Sequence, residues 1–121
     1  MEIVSKELSA AQILAEIPEI VHAFRRMGLE ELTVVFGWAS GQEIDRWWHP
    51  HFMTLDNLES FVRQHVEDGV FLPGESDLHI CDRANAVEFL LCHESDIHLR
   101  TEDAAMAETI EQAWDRKGYR R

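Results

Sequence analysis

Residues 77–101, DLHICDRANAVEFLLCHESDIHLRT, contain three short runs of strand character: Asp77–Cys81, Val87–Cys92 and Asp96–Thr101. In an extended chain successive side chains point to opposite sides, so a run that alternates aliphatic and polar residues buries one face and leaves the other polar. The connections, Arg83-Ala84-Asn85-Ala86 and His93-Glu94-Ser95, suit an antiparallel meander and are far too short for a parallel crossover.

The neighbouring segments supply helices. Thr101 is placed to cap a final helix, with Glu102 and Asp103 at its positive end, Arg116 and Lys117 at its negative end, and Met106, Ile110, Ala113 and Trp114 as its buried stripe. Upstream, Thr54 caps a helix in which Leu55, Leu58, Phe61, Val62 and Val66 share a face, and Asp68-Gly69 ends it. Leu32–Trp38 (LTVVFGW) reads as a buried strand closed by Ser40-Gly41. At the start, Ser9 and Gln12 form a capping box, and an apolar stripe runs from Ile13 to Met27 before Gly28. Pro18 interrupts that stripe, which implies a kink or two short helices. Residues 42–53 admit either a second strand or a helical turn. The expected fold is therefore α+β. A C-terminal three-stranded meander and one or two earlier strands form a mainly antiparallel sheet, with about three helices on one face.

A chain of 121 residues suits one domain, 1–121, with no Pro/Gly/Ser-rich linker. Its 23 acidic residues outnumber 11 Lys and Arg, for a formal net charge of −12. Four of the cations, Arg116, Lys117, Arg120 and Arg121, lie in the last six residues, leaving 23 acidic against 7 basic before them, or −16. Such a surface repels phosphate backbones and argues against nucleic-acid binding; it attracts basic proteins. No apolar run approaches the ~20 residues that span a bilayer. The start MEIVSKELSAAQ lacks a basic segment followed by an apolar one, and two cysteines without a CxxC suit a reducing cytoplasm.

Two groups of residues invite a chemical reading. The first is a repeat: Asp77-Leu78-His79-Ile80 and Asp96-Ile97-His98-Leu99. Asp77, His79, Asp96 and His98 are candidate ligands for zinc or iron in a small metal- or histidine-dependent enzyme. With Val87–Cys92 between the two copies, however, they stand roughly 9.6 Å apart and share one ion only if the sheet curves strongly. No cofactor is expected on this ground. Glu88 falls opposite Arg100 as a cross-strand ion pair. Cys92 and His93, adjacent in a strand, would point to opposite faces and form no dyad. The turn Phe36–Gly41 followed by Asp77-Leu78-His79 faintly resembles the Gly-Ser and Asp-x-Asp elements of nucleotidyltransferases. Trp38 stands for the serine and His79 for a magnesium carboxylate, which removes that chemistry.

The second group is Trp47-Trp48-His49-Pro50-His51-Phe52. Two adjacent tryptophans do not both fit one core from a regular element, and tryptophan is enriched in interaction hot spots. With no phosphate loop, HExxH or Ser-His-Asp spacing present, the leading expectation is a non-catalytic module. It binds a basic protein through Trp47, Trp48, His49, His51 and Phe52, in the manner of an inhibitor or immunity-type protein. A homodimer through the same patch is the weaker expectation.

Overall fold

The computed structural model describes all residues, 1–121. Six strands, β1 (Glu2–Val4), β2 (Glu31–Phe36), β3 (Pro50–Thr54), β4 (Leu78–Asp82), β5 (Val87–Leu91) and β6 (Ile97–Thr101), form one open sheet in the order β1-β6-β5-β4-β2-β3, every pairing antiparallel. Helices α1 (Ala10–Ala15), α2 (Ile17–Arg26), α3 (Leu58–Glu67) and α4 (Ala104–Lys117) complete the α+β fold. No helix is long and apolar enough to cross a membrane.

The meander forms as its alternation implies. Leu78 and Ile80 of β4, Val87, Phe89 and Leu91 of β5, and Ile97 and Leu99 of β6 all enter one core with Leu32, Val34 and Phe36 of β2. Ile13, Ile17, Ile20, Phe24, Leu58, Val62, Met106, Ile110 and Trp114 meet them from the helices. Phe24 packs edge-on to Phe89 with ring centroids 5.7 Å apart, tying α2 to the middle of the sheet. The two meander turns open in the same way, although the first is one residue longer. Asn85 N donates to Asp82 O and Ser95 N to Cys92 O, with Asn85 (φ 58°) and Ser95 (φ 69°) in the left-handed region. Asp82 Oδ1 also accepts from Ala86 N (2.7 Å) and Val87 N (2.9 Å), which fixes the register entering β5.

The N-terminal helical run divides as Pro18 requires. The Ser9–Gln12 capping box opens α1, and the break falls at Glu16, so that Pro18 occupies the first turn of α2, where no hydrogen bond is lost. Glu16 is buried at that break and binds α4 through its carboxylate, accepting from Trp114 Nε1 (3.1 Å) and Lys117 Nζ (2.7 Å).

Several expectations need correction. The sheet has three early strands rather than one or two. β1, only three residues long, pairs with β6, and residues 42–53 hold a 3-10 turn at Ile44–Arg46 followed by the start of β3 at the sheet edge. Thr54 makes no side-chain cap; a 3-10 turn, Leu55–Asn57, precedes α3. The cap of α4 is Asp103, whose carboxylate accepts from Met106 N at 3.0 Å, while Thr101 ends β6 and accepts from Asp103 N. Ala107, not Ala113, completes the buried stripe of α4. The basic tail folds back: Lys117 on Glu16, Arg120 on Glu111 (3.4 Å) and Arg121 on Asp96 (2.9 Å).

Candidate functional site

With core residues on one parity of each strand, the other parity forms a sheet face that no helix covers. Across β2, β4, β5 and β6 this open face carries Thr33 and Val35, His79 and Cys81, Glu88 and Leu90, and His98 and Arg100. β3 extends it with Phe52.

The aromatic hexapeptide is divided between the two sides. Trp48 lies over the open face, its ring 5.4 Å from that of His79 and packed against Gly37, where a Cβ would come within 2.5 Å of it. Its backbone is left-handed (φ 69°), held by Trp48 N donating to Phe36 O at 2.8 Å. A non-glycine residue costs energy there, and such strain concentrates where position serves a function. Trp48 is 54% exposed and Phe52, under the Arg83 guanidinium, 62% exposed. Ile44 and Trp38 add further exposed apolar surface. Trp47 is half-buried and structural: its Nε1 donates to Ser40 O and Gln42 O, and its ring meets Trp38 edge-on. His51 points to the helix side among Phe36, Phe61 and His65, and exposed His49 lies beside it. Burial, and then the charges of His49 and His65, hold the His51 pKa below the usual imidazole value.

Beneath Trp48, a hollow of about 400 Å³ is lined by Thr33, Val35, His79, Cys81 and Glu88 among others. Glu88 gathers its neighbours. Cys81 Sγ donates to Glu88 Oε2 at 3.3 Å, and His79 Nδ1 stands 3.6 Å from the same oxygen. The His79 contact, opposed by burial and assisted by the thiol, lowers the Glu88 pKa. Burial and then Glu88 push the Cys81 thiol up to about 12. His79 Nε2 is buried with no hydrogen-bond partner. Arg100 does stand opposite Glu88 in register, but its guanidinium turns to Asn85 (3.5 Å) and the expected ion pair is replaced by the His79–Glu88–Cys81 group.

The repeated Asp-x-His motif is rearranged. β5 separates the two copies as expected, and the registers of its pairings extend to a row Asp77–Cys92–Asp96 just beyond the strand ends. Asp77 does not meet His79. It accepts from His93, from the backbone N–H at 2.7 Å and from ring Nδ1 at 2.8 Å. Asp96, 2% exposed, binds His98 Nε2 and Arg121, each at 2.9 Å. Cys92 Sγ lies 3.8 Å from His93 Nδ1, so the expectation that strand alternation keeps Cys92 and His93 apart is overturned. β5 ends at Leu91 and alternation does not continue into the turn. Cys92 is the central residue of the cluster, and strand spacing alone could not reveal it. Burial raises its pKa to about 11, a backbone hydrogen bond from Glu94 opposing and the charges of Asp77 and Asp96 adding.

No family model matches the chain, and no curated protein or solved structure shows significant similarity to it, so its function has to be argued from this geometry.

Proposed function

We propose that the chain is a binding protein that takes a positively charged protein partner onto the open face of its sheet, anchored by Trp48 and Phe52. The observation that carries this reading is the placement of Trp48. A large aromatic side chain is held by left-handed backbone on an uncovered sheet face, more than half exposed, and the same face carries the exposed Phe52. Aromatic anchors dominate interface energetics when a partner dries them, and a net charge of −12 raises the encounter rate with a basic partner. Small size, acidity and a preformed aromatic surface fit an inhibitor or immunity-type protein that neutralises a basic target.

The test uses purified components. A protein recovered with the chain is identified and purified, and the pair is titrated by calorimetry at two salt concentrations. The expected partner is net positive, its affinity falls with salt, and Trp48→Ala weakens it by about 30-fold or more, equivalent to ~2 kcal/mol. Gln64→Ala, exposed on α3, leaves it unchanged. A partner that is not basic, equal sensitivity at both positions, or a homodimer in light scattering that Trp48→Ala dissolves would overturn the reading.

A further inference from the structure

The open face ends in the group Asp77, Cys92 and His93, whose ligand atoms lie within 4.8 Å of one another. A cysteine, a histidine and an aspartate first suggest a nucleophile relay, but the connectivity differs. In a relay the imidazole stands between its partners and uses one nitrogen for each. Here the same nitrogen, His93 Nδ1, faces both Cys92 Sγ (3.8 Å) and Asp77 Oδ1 (2.8 Å). Sulfur, nitrogen and oxygen thus converge on one point rather than forming a chain.

From this convergence we infer that Asp77, Cys92 and His93 form a binding site for a zinc-class transition-metal ion. Thiolate, imidazole and carboxylate together are the donor set of tetrahedral zinc. With usual zinc bond lengths, sulfur and nitrogen ligands stand about 3.6 Å apart and nitrogen and oxygen about 3.4 Å. The Cys92–His93 separation is already close to this, and the Asp77 carboxylate has to withdraw by about 0.6 Å. On binding, the Cys92 thiol gives its proton to solvent. The imidazole proton leaves Nδ1, and the ring carries it on Nε2 instead. That nitrogen has Glu94 Oε1 at 3.9 Å, an exposed carboxylate that has to close in by about 1 Å to accept the proton of a metal-bound histidine. Three protein ligands leave a fourth position for water or a partner's side chain. The backbone of the site is fixed, since Asp77 N donates to Trp38 O, Gly37 N to Asp77 O, and His93 N to the Asp77 carboxylate.

The same cysteine also neighbours Asp96 and His98, but that side does not suit a cation. Asp96 Oδ2 is taken by the Arg121 guanidinium and Oδ1 by His98, and the fixed positive charge repels an ion. The site is therefore one-sided, which makes its assignment testable. It does not depend on the partner-binding reading.

Reduced protein is titrated with cobalt(II), then with zinc. The expected result is one cobalt per chain, visible absorption of a tetrahedral centre, a thiolate-to-cobalt charge-transfer band, and displacement by one equivalent of zinc. Cys92→Ser abolishes the charge-transfer band. His93→Ala and Asp77→Asn lower affinity by about 100-fold or more, beyond the usual effect of outer-shell changes. Cys81→Ser and His98→Ala leave stoichiometry, spectrum and affinity within about threefold of wild type, below the roughly tenfold at which outer-shell effects begin. Should Asp77→Asn fail to fold, histidine side-chain nitrogen NMR of the wild type decides: zinc shifts His93 Nδ1 and leaves His98 in its metal-free state. Absence of stoichiometric binding, a charge-transfer band surviving Cys92→Ser, or His98→Ala as damaging as His93→Ala would overturn the assignment.

Discussion

Replacing Trp48 by alanine and by glycine separates the backbone cost of presenting this side chain from the contacts it makes. Both variants lose the ring that packs on Gly37 and His79. With nearly half of a tryptophan buried, that loss is worth up to about 2–3 kcal/mol. The variants differ in the backbone. At φ 69° alanine keeps the left-handed penalty of about 1–2 kcal/mol, whereas glycine is free of it. Glycine's greater unfolded-state entropy returns about 0.5–1 kcal/mol of that gain. Trp48→Gly should accordingly be more stable than Trp48→Ala by about 0.5–1 kcal/mol, the reverse of the order at an ordinary position. Urea unfolding followed by circular dichroism, with m unchanged, reads this as a midpoint higher by roughly 0.3–0.7 M. Both variants should bind the proposed basic partner equally weakly. A midpoint for glycine at or below that for alanine would refute the claim that Trp48 is held against its own backbone preference.

Glu16→Ala should cost about 2–4 kcal/mol in chemical unfolding, because the buried Trp114 indole N–H loses its acceptor and Lys117 its carboxylate; adding Trp114→Phe should cost less in that background than in wild type. His51 refuses a proton in the fold that it accepts when unfolded, so its contribution to stability is present above the ordinary imidazole pKa and is lost as pH falls below it. His51→Phe should flatten the acid side of a stability–pH profile. Cys81 has the opposite sign: with its pKa raised from 9.0 to about 12, the unfolded thiol ionises between those values while the folded one stays protonated, and stability falls as pH rises through that window. In a Cys92→Ser background, Ellman's reagent at pH near 8 should modify folded Cys81 at least about 30-fold more slowly than the unfolded thiol, because the loss of thiolate is only partly offset by the greater nucleophilicity of a thiolate of higher pKa.

The meander and the helices around it were legible because each carries its own signal: alternation, close turns, the Ser9–Gln12 box, the proline-initiated α2. β1 carries none. Its three residues acquire meaning only opposite His98–Arg100, nearly a hundred residues away. β3 begins with a proline and is nowhere fully buried, so as an edge strand it lacks the buried period that marks a strand. The same limit governed the site. His79 and His98 stood out by repetition, yet the partner of Asp77 is His93, a turn residue to which strand parity does not apply. Of the aromatic hexapeptide, the sequence marked the region but not the division that puts Trp48 and Phe52 on the open face and His51 on the other side.

A sheet covered on one side only gives this protein an interleaved mutational record. In β4 the even-numbered Leu78 and Ile80 hold the core while odd-numbered His79 and Cys81 face out; in β5 and β6 the parity reverses, with Val87, Phe89, Leu91, Ile97 and Leu99 inside. A saturation library scored for cellular abundance should be sensitive at one set and tolerant at the other, and the same library scored for recognition should show the complement. A deletion of one residue inside β4 would exchange the two sets, turning Leu78 and Ile80 to solvent and His79 into the core. In these strands a shift of one position costs both scores at once, although most single substitutions cost only one.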